Sequence, residues 1–135
     1  MRTITLETVT AGKVLQRAQI PGFAEIDVDV PEEAGGEGQA PDPHDYFDMA
    51  LGACKAQTLQ LYARVKKMDL QKVAVRVERD QSEERAGHYS LHCTLTLEGN
   101  LSDEERERLL AIADRCPIHK LMTKSAIAIS TQLAD

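Results

Sequence analysis

The sequence predicts an α+β fold, and three observations support this prediction. Short segments that alternate apolar and polar residues precede one long apolar-striped segment, residues 43–67. A second alternating pair, another helical segment and a final short strand follow. Strands and helices are therefore grouped, which is typical of α+β proteins. With 135 residues, the chain is long enough for one cooperative core and too short for two ordinary domains, so residues 1–135 are expected to form a single domain.

The first third of the chain has the two-residue period of half-buried β-strands. In the first segment Ile4 and Leu6 alternate with polar neighbours, and Pro21-Gly22 ends the second. The three predicted strands span residues 2–9, 14–20 and 23–30. Residues 31–42 are rich in Gly, Pro and acidic side chains, which predicts a loop leading into the long helix.

The long segment has the start signals of an α-helix. Asp42 suits the N-cap, Pro43 the first helical position, and Asp45 the first turn, where the helix dipole favours negative charge. Apolar residues at three- and four-residue spacing predict one buried stripe. The stripe comprises Phe47, Ala50, Leu51, Cys54, Thr58, Leu61, Tyr62 and Val65. At about 1.5 Å per residue, this helix would cross the whole diameter of a chain of this size.

The second half of the chain predicts a hairpin, a helix and a strand. Residues 73–79 and 89–97 alternate, with a polar turn between them. Ser102 and Glu105 have the spacing of a capping box. Pro117 disfavours helical geometry at the preceding residue, so this helix should stop close to Cys116. Residues 126–131 predict the last strand.

Composition and charge exclude several classes of function. A net charge of -6 argues against nucleic acid as a partner, because binding to its backbone requires basic side chains. No apolar run is long enough to cross a bilayer, so no membrane partner is expected. The N-terminus lacks the charged and apolar regions of a signal peptide, which favours the cytoplasm.

The three cysteines are the candidate reactive groups, since free thiols in a reducing compartment often perform redox, catalytic or metal-binding functions. Cys93 shares the apolar face of its strand and is interpreted as a core thiol. Cys54 lies on the helix stripe, and Cys116 precedes His119 and Lys120. A peroxide-reducing site needs one thiolate that becomes a sulfenic acid and a second thiol that condenses with it. On the residues alone, either Cys54 or Cys116 could be the attacking thiol.

Three runs of this sequence resemble the OsmC/Ohr family, named for osmotically inducible protein C and organic hydroperoxide resistance proteins. They are GGEGQAPDPHDYFDMALGACKAQTL, LEGNLSDEERERLLAIADRCPIHK and AIAIST, and the resemblance covers roughly residues 25–131. It implies an intertwined homodimer whose antiparallel sheets wrap two long central helices. It also implies thiol-dependent reduction of organic hydroperoxides, with Cys54 as the attacking (peroxidatic) cysteine and Cys116 as the resolving one. The implied reductant is a dihydrolipoyl-type dithiol, with no cofactor and no metal.

The residues that would tune the attacking thiol depart from the family pattern. The family uses an arginine from the N-terminal strands, held by a glutamate near the start of the central helix. The arginine position falls near Lys13, with Arg17 one short strand further on. The glutamate position falls on His44, with Asp45 beside it. A lysine is a point charge and not a planar bidentate donor, which indicates a member outside the best-studied peroxidase branch.

Two alternatives accompany the peroxidase hypothesis. The first is a dimeric binding protein for a small apolar or electrophilic ligand, in which Cys54 lines the pocket and no turnover occurs. The second is a zinc site formed by Cys54, Cys116 and His119, with His44 as a further candidate ligand, since zinc favours thiolate and imidazole. The Cys-Pro-x-His spacing is not a standard pair of zinc ligands, so the expected metal content is none.

Overall fold

A computed structural model describes residues 2–134 of the chain. The chain divides into two compact units, Met1–Phe47 and Asp48–Asp135, and each is described by itself. None of the helices in the described residues is long and apolar enough to cross a membrane.

The first unit contains a three-stranded antiparallel sheet in the order β1-β2-β3, which confirms the three predicted strands. The strands are β1 (Thr5–Thr8), β2 (Gln16–Gln19) and β3 (Ile26–Val28). Ala18 of β2 pairs with Leu6 on one side and Ile26 on the other, and it is buried. The expectation that Leu6 is half-buried is wrong, since its side chain is 58% exposed. A sheet of three such short strands covers little of its own apolar face.

The acidic loop before the long helix is held in place by a buried carboxylate. Asp29 is only 2% exposed, and it accepts hydrogen bonds from the backbone N–H groups of Val30 and Gln39 at 2.8 and 3.0 Å. These bonds lower the pKa of Asp29, because they stabilise its charged form. Gly36 packs so closely on the Val30 carbonyl that a Cβ atom there would overlap it.

The long helix is α1 (Pro43–Lys66), and its predicted start is confirmed. Asp42 accepts the backbone N–H of Asp45 at 2.9 Å, and the Asp45 carboxylate accepts the backbone N–H of Asp42 at 3.0 Å. This reciprocal pair satisfies two donors that the first turn would otherwise leave without partners.

The predicted buried stripe of α1 is largely wrong. Leu61 and Val65 are 55% and 76% exposed, and of the predicted stripe only Leu51 is buried. The face that is buried instead comprises Asp48, Leu51, Gly52, Lys55, Leu59 and Ala63. Gly52 explains this orientation, because a Cβ atom there would lie 3.0 Å from the Val77 side chain of the neighbouring strand. The helix therefore packs closely through a residue without a side chain, which hydrophobicity does not indicate.

The second unit contains a two-stranded antiparallel hairpin, β4 (Lys72–Asp80) and β5 (Ser90–Glu98), as predicted. Val77 pairs with Cys93, and burial alternates along both strands. The capping box of Ser102 and Glu105 is present and opens α2 (Asp103–Ala113). The main apolar cluster lies between α1 and α2 and includes Leu59, Ala63, Leu70, Leu109, Ile112 and Ala113.

In the C-terminal part, one prediction is confirmed, one helix was not predicted and one prediction is wrong. Helix α2 ends at Ala113, close to Cys116 as predicted. A further helix that the sequence did not predict, α3 (Pro117–Thr123), follows with Cys116 as its N-cap. Proline is favoured at the first position of a helix, so Pro117 begins one helix and does not only end another. Within the described chain, residues 126–131 form no strand, and Ile129 is 85% exposed. A strand requires a hydrogen-bonded neighbour, and no described strand pairs with this segment.

Candidate functional site

The side chains of Cys54 and Cys116 lie close together in the second unit, although they are far apart in the sequence. Cys54 lies in the middle of α1, and Cys116 lies in the link between α2 and α3. Both are free thiols, and the Cys54 side chain lies close enough to Cys116 to raise the pKa of the Cys116 thiol. The fold thus brings together the pair of thiols that the sequence singled out.

Cys116 is the inner thiol of the pair, with none of its surface exposed. Its sulfur accepts the backbone N–H of His119 at 3.3 Å. Burial raises the pKa of the Cys116 thiol, and the nearby Cys54 side chain adds to this effect, while the His119 N–H and the charge of Lys55 oppose it. The net direction is upward, so Cys116 is a protonated thiol at neutral pH. The sequence predicted a helix end close to Cys116, and the structure shows that Cys116 also caps the N-terminus of the next helix, α3.

Cys54 is the outer thiol, since it is partly exposed. It sits one residue before Lys55 on α1. A small reactant can therefore reach Cys54 without displacing the elements that enclose Cys116.

Lys55 is the residue of this site that the sequence reasoning missed. It is only 4% exposed, and its Nζ lies 2.9 Å from the Ala113 carbonyl oxygen. The same Nζ lies 3.3 Å from the Asp114 carboxylate and 3.0 Å from His119 Nδ1. One signal was available in the sequence, because Lys55 is four residues from both Leu51 and Leu59, which belong to the buried face.

Cys93 lies on the half-buried face of β5, as predicted. Burial raises the pKa of its thiol, and the nearby charge of Lys55 acts in the opposite direction. All three thiols of the chain therefore belong to the second unit, with Cys54 and Cys116 close together.

A second buried charge on α1 is paired with the hairpin. Asp48 is 7% exposed and accepts a hydrogen bond from the Tyr89 hydroxyl at 2.7 Å, while Arg79 Nε lies 3.0 Å from its other oxygen. Burial raises the pKa of Tyr89 to about 12, and the contact with Asp48 adds to it. These bonds compensate the cost of removing a carboxylate from water.

The two candidate cations of the first unit differ in how they are held. Arg17 makes two hydrogen bonds to the Asp27 carboxylate, at 2.7 and 3.1 Å, and its Nε is 3.4 Å from Glu25. The hydrogen bond from Arg17 lowers the pKa of Asp27. Lys13 Nζ lies 3.5 Å from a carboxylate oxygen of Glu37. Asp27 was not predicted as a site residue, although it alternates with Ile26 and Val28 on a strand next to that of Arg17.

The two candidate residues near the start of α1, His44 and Asp45, belong to the first unit. Asp45 forms the capping pair described above, and His44 is half-buried as the second residue of the helix. Catalytic roles for His44 and Asp45 stay predictions.

The described residues provide no set of ligands for the alternative zinc site. Among residues 2–134, no group of three or more His, Cys, Asp or Glu side chains is arranged to hold a metal ion. The Nδ1 atom of His119 faces Lys55 Nζ at 3.0 Å.

The fold and this site define a class, namely small α+β proteins with a partly exposed thiol close to a buried one. The model of the OsmC-like protein family matches residues 36–132, which is more than half of the chain. The chain belongs to this OsmC-like family.

Solved structures with the same fold include three bacterial proteins. An osmotic stress induced and detoxification response protein from Psychrobacter arcticus is 21% identical, with a TM-score of 0.73 over 91% of this chain and 88% of that one. An OsmC-like protein from Mycoplasma pneumoniae is 20% identical, with a TM-score of 0.73 over 92% and 88%. An organic hydroperoxide resistance protein, OsmC, from Legionella pneumophila is 24% identical, with a TM-score of 0.66 over 92% and 90%. No curated protein sequence matches this chain.

The different burial of the two thiols predicts different alkylation rates. With iodoacetamide at pH 7, we expect Cys54 to react about tenfold or more faster than Cys116, because alkylation requires an accessible thiolate. The rate at Cys116 should continue to rise at pH values where an ordinary thiol has reached its plateau, since its pKa is raised. Peptide mass spectrometry measures both rates, and protein unfolded in urea is the control in which they should converge. Equal rates in the folded protein would contradict the assignment of Cys116 as the inner thiol.

Proposed function

We propose that this protein reduces organic hydroperoxides through Cys54 and Cys116. The observation that carries the proposal is that the fold brings these two thiols close together, one from the middle of α1 and one from the N-cap of α3. Two thiols that lie close together can form a disulfide with little movement, and a second thiol within reach protects the first from irreversible oxidation. Membership of the OsmC-like family, and the organic hydroperoxide resistance proteins among the structural neighbours, support the same chemistry.

The proposed reaction has two steps. The Cys54 thiolate attacks one oxygen of the hydroperoxide, the O–O bond breaks, and an alcohol leaves after taking up a proton. The sulfur becomes a sulfenic acid. Cys116 then attacks this sulfur, the S–O bond breaks, and water leaves as the Cys54–Cys116 disulfide forms. A dithiol of the dihydrolipoyl type returns both cysteines to thiols, so no bound cofactor or metal enters the proposal.

Burial supports assigning the attack to Cys54. The partly exposed Cys54 is accessible to a hydroperoxide, whereas Cys116 has no exposed surface. The raised pKa of Cys116 keeps this thiol protonated and weakly nucleophilic, which leaves the first attack to Cys54.

We assign stabilisation of the Cys54 thiolate to Arg17 in preference to Lys13. The guanidinium of Arg17 is held by two hydrogen bonds to Asp27, and a paired arginine presents its remaining donors in a defined direction. Lys13 is 61% exposed, and its Nζ lies 3.5 Å from Glu37.

We also propose that the protein acts as a homodimer in the cytoplasm. Within the second unit, Leu61, Val65 and Leu110 are each more than half exposed, and so are Ile127 and Ile129. A second copy of the chain would cover such apolar surface, which is costly to leave in water. The family match runs across the boundary at Phe47 and supports treating residues 1–135 as one functional domain.

The dimer proposal predicts the mass of the protein in solution. Sedimentation equilibrium should give twice the 14.9 kDa mass of the chain, and a monomer at micromolar concentration would contradict the dimer.

The peroxidase proposal predicts loss of two thiols per chain. When reduced protein meets one equivalent of an alkyl hydroperoxide, we expect two of its three thiols to disappear and the Cys54–Cys116 disulfide to form. With a lipoyl dithiol present, hydroperoxide should be consumed catalytically.

Three variants test this prediction. Cys54→Ser should abolish turnover, Cys116→Ser should still reduce one equivalent and accumulate Cys54 sulfenic acid, and the matched control Cys93→Ser should retain activity. If Cys54→Ser keeps a small ligand bound and the wild type loses no thiols, the protein is a binding protein without turnover.

The assignment of Arg17 predicts a selective effect on the first step. We expect Arg17→Gln to lower the rate of Cys54 oxidation by about tenfold to a hundredfold, which corresponds to one charge-assisted contact. Lys13→Gln is the matched control and should change the rate less than about twofold. Stopped-flow thiol loss measures both, and a larger effect from Lys13→Gln would reverse the assignment.

A further inference from the structure

We propose that Lys55 is a positioning residue that holds the Cys116 segment against α1 so that Cys116 can resolve oxidised Cys54. The inference rests on the proposed function and extends it to the second step of the reaction. Lys55 follows Cys54 directly on α1, so one turn of helix carries both the outer thiol and the group that holds the inner one.

The contacts of Lys55 enclose Cys116 from both sides along the chain. Its Nζ binds the Ala113 carbonyl and the Asp114 carboxylate, which precede Cys116, and it faces His119, which follows it. A lysine ammonium has three N–H donors, and three partner atoms lie within their reach; His119 Nδ1 accepts when the ring carries its proton on Nε2. The backbone N–H of His119 in turn donates to the Cys116 sulfur. Lys55 therefore fixes the segment that carries the thiol without touching the reacting atoms itself.

Apolar packing alone does not account for a lysine at this position. The side chain is 4% exposed, and burying an ammonium costs free energy that an unbranched apolar side chain of similar length would not. The Ala113 carbonyl belongs to the last turn of α2, where such groups lack intrahelical partners and attract cations. The charge also opposes the effect of burial on the Cys116 thiol, which favours the thiolate that must attack the sulfenic acid.

The position of Cys116 affects which of two reactions the Cys54 sulfenic acid undergoes. If Cys116 attacks, the S–O bond breaks, the S–S bond forms and water leaves. If a second hydroperoxide arrives first, the Cys54 sulfenic acid attacks it, the O–O bond breaks and an alcohol leaves. Cys54 is then a sulfinic acid and is lost from the cycle. Holding the Cys116 segment in place favours disulfide formation, because it keeps the Cys116 sulfur close to the oxidised Cys54 sulfur.

The first experiment measures disulfide formation without hydroperoxide. The Lys55→Met and Lys120→Met variants remove one lysine each, and Lys120 is an exposed residue of α3 outside the contacts described above. In glutathione buffers, the protein dithiol and oxidised glutathione exchange with the Cys54–Cys116 disulfide and two reduced glutathiones. We expect Lys55→Met to lower this equilibrium constant by about tenfold, the size of one hydrogen bond to a charged group, and Lys120→Met to leave it unchanged.

The second experiment measures over-oxidation. With increasing alkyl hydroperoxide, the Lys55→Met variant should form Cys54 sulfinic acid at about tenfold lower concentration than the wild type, while the rate of the first oxidation of Cys54 is kept. A protein that is merely destabilised would lose the first step as well. Mass spectrometry and stopped-flow thiol loss separate these results.

Further variants keep the inference testable if Lys55→Met does not fold. His119→Ala and Asp114→Ala each remove one side chain that Lys55 Nζ contacts, from half-exposed or exposed positions. Each should lower the glutathione equilibrium constant about threefold. Unchanged constants in the folded variants would overturn the positioning role. If the glutathione constants fall as expected but no variant or wild type consumes hydroperoxide, the role of Lys55 stands and the peroxidase proposal fails.

Discussion

The buried ammonium of Lys55 is the interaction on which the candidate site depends. It joins three elements, because its donors reach the end of α2, the link that carries Cys116 and the side chain of His119 on α3. Apolar packing contributes little to holding α3, since this helix has seven residues and no buried one. Helix α2, in contrast, also packs on α1 through the main apolar cluster.

The buried face of α1 carries charge at two positions, which is unusual for a helix in a small protein. Asp48 is paired with Tyr89 and Arg79, and Lys55 Nζ contacts the Ala113 carbonyl, the Asp114 carboxylate and His119 Nδ1. Among the described residues, no buried side-chain nitrogen or oxygen lacks a hydrogen-bond partner. Satisfied groups of this kind define one orientation of a helix, because a rotated helix would leave a charge buried and unpaired. Gly52 between them allows the close approach to the hairpin.

Sequence patterns predicted most of the elements because their signals are local. The caps of α1 and α2, the alternation of β4 and β5, and the strands of the first unit all depend on neighbours within a few residues. The pairing of Arg17 with Asp27 was missed, although both residues lie on predicted strands. The sequence of each strand by itself does not determine the register in which the two strands pair. Helix α3 was missed because Pro117 was interpreted only as a terminator.

The sequence by itself determined the fold class, the family resemblance and the two candidate thiols. Motif spacing and local periodicity depend on residues that are close together in the sequence, so they can be recognised without the structure. The tertiary structure decided which face of α1 is buried, that Cys116 is the inner thiol, and that Lys55 lies beside it. The physical reason is that several faces of α1 carry apolar residues, so hydrophobicity does not choose among them. The choice is made by long-range contacts, where a glycine permits close packing and a buried charge must meet its partners.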